Sequence, residues 1–278
     1  MNNYKIVTDS SADVLSFPGI AFASAPLKII TAEAEYVDNG NLDVKDMVQT
    51  LLSQDGKIST SCPNPQDWLT AFGDAETVFC VTITATLSGS YNAAMVAKEL
   101  YESEYPGRHV FVINSQSTGP EMKLLIEKIS EGIAAGKDGQ EIADSVQEYK
   151  KKTGLLFMLE SMKNLSNNGR VSPLVAKIAG LLGIRVVGTA NQEGNLQLLD
   201  KCRGQEKSLA AIVNRMKELG VNSGKVHIAH CFNERAAQKL KELLHAEFSK
   251  LKIEYYACRG LCSFYAEKGG LLVGFERC

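Results

Sequence analysis

The sequence predicts an α/β protein of two domains, a doubly wound parallel sheet followed by a second α/β domain with a mixed sheet. Three observations carry that expectation. Strand-like runs alternate with helical patterns up to about residue 152, the signature of parallel strands joined by crossover helices. Beyond residue 155 the pattern changes, and two short runs flank an Asn191-Gln192-Glu193-Gly194-Asn195 turn as in a hairpin. With 278 residues the chain is near the size at which one core divides into domains of roughly 100 to 150 residues.

The elements follow in order from hydrophobic spacing and turn chemistry. Tyr4-Lys5-Ile6-Val7 opens the first strand (4–8), and further strands are expected near 26–30, 57–60, 77–84 and 109–113. Helices are expected near 43–54, 64–73, 88–102, 119–135 and 138–152. Gly132, Gly136 and Gly139 punctuate the last two, and Lys150-Lys151-Lys152-Thr153-Gly154 marks a hinge. The domains are therefore expected at 1–154, carrying the head-group loops, and 155–278. In the second domain 155–159 is a short apolar strand, and Ser172-Pro173 opens a helix through Leu182. Apolar residues cover more than one face of that helix, so it is expected to be buried almost all round. Residues 185–190 pair with 196–199 across the turn. Helices near 205–219 and 233–250, with strands near 224–230, 251–257 and 271–276, complete the layer.

The segment from Val78 to Ala94 carries the strongest functional signal. A buried-strand pattern runs into Thr84-Ala85-Thr86-Leu87-Ser88-Gly89-Ser90 and then into a helix. In an open parallel sheet ligands sit at such strand ends, where free helix N–H groups and hydroxyls make a socket for a carboxylate or phosphate. Read alone, Ser88 is equally an N-cap. Three other strand ends share the chemistry: Thr8-Asp9-Ser10-Ser11, Ser59-Thr60-Ser61-Cys62-Pro63 and Asn114-Ser115-Gln116-Ser117-Thr118. If the strands are parallel, these tips converge on one edge.

Composition excludes several function classes. A formal charge of −2 without long basic runs argues against a nucleic-acid partner. No 18-residue apolar stretch and no signal-peptide core occur, so a cytoplasmic protein without stable membrane insertion is expected. The seven scattered cysteines fit a reducing compartment. Cys258 and Cys262 have no second pair or nearby histidine, so no metal site is expected. His227 and His230 point to opposite faces if they lie on a strand. No cofactor is expected, because the chain has neither G-x-G-x-x-G after a strand nor a Walker loop.

In order and spacing, Asp9-Ser10-Ser11-Ala12-Asp13, Thr60-Ser61-Cys62-Pro63, Leu87-Ser88-Gly89-Ser90-Tyr91, Asn114-Ser115, Asn168-Gly169-Arg170-Val171 and Lys201-Cys202-Arg203 resemble the DegV family of bacterial fatty-acid-binding proteins. The resemblance implies a monomeric, non-enzymatic carrier of a long-chain fatty acid. The tail would lie in a buried tunnel enclosed by the second domain, with the carboxylate held by Thr60 and Ser88. A partner fatty acid kinase would then phosphorylate the carboxylate. Ser61 and Ser90 would support the pocket, Arg170 would brace it, and Arg203 would face the partner or the phosphate. For either arginine alone, a surface salt bridge is the ordinary reading.

One departure stands out. Many members carry His-Thr-Gly-Pro-Gly near the C-terminus, whose His helps hold the carboxylate. Here the match is Cys258-Arg259-Gly260-Leu261-Cys262, with only Gly260 retained. Cys258 is a weak donor, and Arg259 would offer a charge instead, which puts phosphorylation in question more than lipid binding. The alternative is a serine-dependent hydrolase or transferase acting on a small ester or acyl phosphate in the interdomain cleft. It requires a histidine beside Ser88 that no motif identifies.

Overall fold

The computed structural model describes residues 3–54, 56, 58–179 and 183–277. The first half runs β1 (Tyr4–Asp9), β2 (Ala21–Ala25), β3 (Lys28–Ile30), β4 (Glu35–Val37), α1 (Val44–Ser53), β5 (Ser59–Ser61), α2 (Pro65–Phe72), β6 (Thr77–Thr82), α3 (Ser90–Glu104), β7 (His109–Asn114), α4 (Pro120–Ala134) and α5 (Gly139–Lys150). Four of these strands form a sheet in the order β2-β1-β6-β7, every pair parallel. Its central strand β6 is buried on both faces. Val78 and Cys80 pack with Trp68, Phe72, Ala97 and Tyr101 of α2 and α3, whereas Phe79 and Val81 pack with Met122, Ile126, Ile129 and Ile142 of α4 and α5. A strand buried on both sides needs a continuous apolar run, and Val78-Phe79-Cys80-Val81 is one. Capping boxes Asn64/Asp67 and Asp138/Glu141 start α2 and α5, satisfying N–H groups that the helix itself leaves free.

Two expectations about this sheet are corrected. The segments near 26–30 and 57–60 are not in it, because β3 and β5 pair antiparallel with each other, and β4 joins them in a separate three-stranded sheet. The parallel edge is β2, whose Ala-Phe-Ala-Ser-Ala sequence has little β-propensity by itself and is held by its register on β1.

The second half runs β8 (Thr153–Leu159), α6 (Lys163–Asn167), α7 (Pro173–Ala179), β9 (Ile184–Ala190), β10 (Leu196–Arg203), α8 (Gln205–Glu218), β11 (Ser223–His230), α9 (Glu234–Glu247), β12 (Lys250–Ala257), α10 (Gly260–Ala266) and β13 (Leu271–Glu276). The sheet order is β10-β9-β8-β13-β11-β12, mixed as expected: only β11 and β12 are parallel, and β9–β10 is the hairpin. Helices α8 and α9 cover one face through Leu209, Ile212, Ala236 and Leu240. Helix α4 lies on the other, touching β13, β11 and β8 while it also packs on β1 and β6. One helix therefore serves both sheets. Their approach is close at Gly274, where an added Cβ would stand 2.5 Å from the Glu121 backbone nitrogen.

The helix at 173–182 differs from expectation. The described part of α7 runs Pro173–Ala179, and the rest of the expected helix, 180–182, lies outside the described residues. It is a surface helix: Leu174 is 76% exposed, whereas Val175, Ala176 and Ala179 join the neighbouring core. Two helical turns laid on a sheet bury one stripe, whatever the composition of the other faces. His227 and His230 are both buried on β11, and His227 Nε2 lies 2.8 Å from Glu127 of α4. Among the described residues no helix is long and apolar enough to cross a membrane.

Candidate functional site

Between the two sheets lies a cavity of about 290 Å³. The first half of the chain contributes mainly small polar residues: Thr60, Ser61 and Cys62 from β5 and its exit, Thr84, Ser88 and Gly89 after β6, and Ser117 and Thr118 after β7. The second half contributes mainly apolar side chains: Leu155, Phe157 and Leu159 of β8, then Leu165, Leu196, Leu261, Ala266 and Leu272. Along β8 the cavity residues are two apart, because successive side chains alternate between faces. Arg170 is the only charged side chain among the described lining residues. One cation and several neutral donors suit a single anionic head group on an apolar tail.

The Leu87–Ser90 turn is fixed from below. Asp9 is fully buried and accepts from Ile83 N (2.8 Å), Ser90 Oγ (2.6 Å), Ser11 N (3.2 Å) and the Ser11 hydroxyl. Burial pushes the Asp9 pKa up, and the four donors oppose it. Ser90 therefore serves Asp9 and does not line the cavity. Ser88 Oγ accepts from Ser90 N at 3.2 Å, the local bond expected of a cap-like serine, and its own proton stays free for a ligand. Arg170 Nε donates to Leu87 O at 3.1 Å and a second guanidinium nitrogen donates to Asn168 O, bracing the turn from the second half.

The remaining sequence candidates lie elsewhere. Cys258 is buried in the core behind the cavity, and it is Cys262, one helical turn on, that lines it. Arg259 points away: its guanidinium donates to Asn39 O, with Nε 3.9 Å from Asp38. Arg203 is exposed at the far end of β10, roughly 20 Å along the strand from the lining residue Leu196 at about 3.3 Å per residue. None of His109, His227, His230 and His245 lines the cavity.

Sequence reasoning missed three contributors. The β9–β10 hairpin tip closes one side, where Gly194 O accepts from Thr84 Oγ1 (3.1 Å) and Thr86 Oγ1 (2.7 Å). Tyr265 of α10 lines the cavity and stands 2.7 Å from Thr60 Oγ1. Asp13 and Asp38 hold the start of α10: Asp13 accepts from Arg259 N (2.8 Å), and Asp38 from Gly260 N (3.0 Å) and Leu261 N (2.9 Å). Only Asp13 carried a hint, since it ends the Asp9–Asp13 motif.

Desolvation raises the Asp13 pKa to about 7, against the opposing Arg259 N–H. The folded state then holds a proton that the unfolded chain, with an ordinary carboxyl, releases near pH 4. Stability from this group falls as pH rises from about 4 to about 7 and is level above. Asn supplies the same acceptor without the charge. Asp13→Asn is expected to melt a few degrees higher than the native chain at pH 8, with the gap shrinking toward pH 4. Thermal melts at both pH values measure it, and a gap independent of pH would show that Asp13 titrates normally.

Geometry and fold thus define a class, an α/β protein with two packed sheets enclosing a cavity of hydroxyl and aliphatic walls. The chain belongs to the DegV family: residues 3–277 match the family model described as "Uncharacterised protein, DegV family". A DegV domain-containing protein of Streptococcus pneumoniae is 40% identical over 277 residues, 98% of this chain and 99% of the relative. Two solved structures are similar at a TM-score of 0.97 and 40% identity. One is a DegV family protein from Eubacterium eligens loaded with heptadecanoic acid, matched over 99% of this chain and 100% of that one. The other is the Streptococcus pneumoniae Fatty Acid Kinase B3 protein loaded with linoleic acid, matched over 100% of both.

Proposed function

We propose that this protein binds a long-chain fatty acid without covalent chemistry and presents its carboxylate to a fatty acid kinase. The observation that carries the reading is the division of the cavity wall, hydroxyl-bearing from the first half and aliphatic from the second, with Arg170 as its only charge among the described lining residues. The tail lies against Leu155, Phe157, Leu159, Leu196 and Leu272, and the carboxylate lies at Thr60 and Ser88. Burying about ten methylenes at ~0.8 kcal/mol each contributes roughly 8 kcal/mol, an affinity near 1 μM before any head-group contact. Hydroxyl donors orient a carboxylate without neutralising it, which leaves an oxygen nucleophilic toward a partner's γ-phosphate. The two similar structures loaded with heptadecanoic and linoleic acid support the ligand class, and the kinase name of the second supports the partner.

In this reading the chain works as a cytoplasmic monomer, with the head-group loops in 1–154 and the tail enclosed by 155–278. Arg203, exposed on β10, faces the partner rather than the ligand. The serine-nucleophile reading lacks its base, since none of the four histidines is among the lining residues.

Native mass spectrometry of freshly purified protein, followed by denaturation, tests the proposal. Release of one fatty acid per chain is expected. Empty protein that also takes up no fatty acid at micromolar concentration would overturn it.

A further inference from the structure

Cys258 is buried in the core and does not reach the cavity. The head-group site nevertheless has a third polar member, supplied by α10. Gly260 and Leu261 N–H groups are held by Asp38, and Arg259 N–H by Asp13, so the start of α10 is anchored to the first half of the chain. Leu261 and Tyr265 are four apart, share one helix face, and both line the cavity. That places Tyr265 Oη 2.7 Å from Thr60 Oγ1, with the Arg170 guanidinium 5.9 Å from the tyrosine ring.

The direction of this hydrogen bond matters. Thr60 has one hydroxyl proton. If Thr60 gave it to Tyr265, none would remain for a carboxylate. A phenol is far more acidic than an aliphatic hydroxyl and is the better donor of the two, and a nearby guanidinium strengthens it further. Either oxygen could donate at this distance; the more acidic phenol is the better donor, an arrangement in which Thr60 accepts and turns its own proton to the cavity. Donation into Thr60 also polarises its O–H bond toward the ligand.

Building on the fatty-acid reading above, we infer that Tyr265 is a positioning residue of the head-group site, acting through Thr60. The test is a double-mutant cycle with 1-13C-oleate, reading both affinity and the titration of the bound carboxyl resonance. Tyr265→Phe keeps the ring and is expected to weaken oleate binding about fivefold and to raise the apparent pKa of the bound carboxyl. Binding of oleyl alcohol should change less than twofold. In a Thr60→Ala background the same Tyr265→Phe change should have no further effect on oleate, because its partner is gone.

An equal loss in both backgrounds would make Tyr265 a packing residue and overturn the inference while leaving the fatty-acid reading in place. Failure of the native chain to bind oleate would overturn both. Should Tyr265→Phe lower the melting temperature, Thr60→Ser, which keeps the hydroxyl, serves as the control: Tyr265→Phe should still weaken oleate binding about fivefold in that background and not in the Thr60→Ala one, and an equal loss in both removes the inference.

Discussion

Thr60→Ala/Ser88→Ala is expected to weaken fatty acid binding by roughly 100- to 10,000-fold. In the proposed site each hydroxyl donates to an ionised carboxylate, and a hydrogen bond to a charged group contributes about 1.5–3 kcal/mol. Two such bonds make about 3–6 kcal/mol, and ~1.4 kcal/mol is tenfold in affinity. Thr60 and Ser88 are only half-buried, so the melting temperature should barely move. The aliphatic wall remains in the double variant, and a fatty alcohol with the same tail should therefore lose much less. Calorimetric titration with the acid and the alcohol distinguishes the two. A loss of acid binding below tenfold would place the carboxylate elsewhere, with the hydroxyls after β7 at Ser117 and Thr118 next to test.

Gly274→Ala is expected to destabilise the fold by about 3 kcal/mol, the upper part of the range for overpacking a tight core. A Cβ there would stand 2.5 Å from both the Glu121 nitrogen and the Pro120 carbonyl carbon. Both are backbone atoms at the start of α4, so no rotamer change relieves the clash. Helix α4 would have to lift from β13, and since it also packs on β1 and β6, the two sheets would separate slightly around the cavity. For a chain of 278 residues the melting temperature should fall by about 6–12 °C. A fall under 2 °C would show that the helix and strand are not in direct backbone contact.

Local signals in the sequence were strongest where one element is buried on two faces or capped by its own residues. The Val78–Val81 run, the helical patterns near 64–73 and 138–152, which Asn64/Asp67 and Asp138/Glu141 cap in the structure, and the turn at 191–195 all became the elements they indicate. The signal failed where a segment depends on a distant neighbour. β2 is a strand because β1 lies beside it, and β5 left the parallel sheet because β3 offered an antiparallel partner. α7 is apolar on several faces yet has Leu174 in solvent, since a helix laid on one face of a sheet covers only one stripe of itself.

The same division runs through the site. Thr60, Ser61, Ser88 and Arg170 were legible as candidates because they sit in short motifs, and all four line the cavity. Tyr265 is 205 residues from the threonine it meets, and no spacing rule reaches that far. Nor does sequence say that the Arg259 side chain turns to Asn39 and Asp38, or that Cys262 rather than Cys258 faces the cavity. What the sequence by itself determined is the α/β class, the alternation of strands and helices, and the hydroxyl-rich strand ends, all consequences of periods of two and 3.6 residues and of local hydrogen bonding. What only the tertiary structure decided is which of those ends meet across the two sheets, because close packing of α4 and α10 between them sets distances that no local pattern encodes.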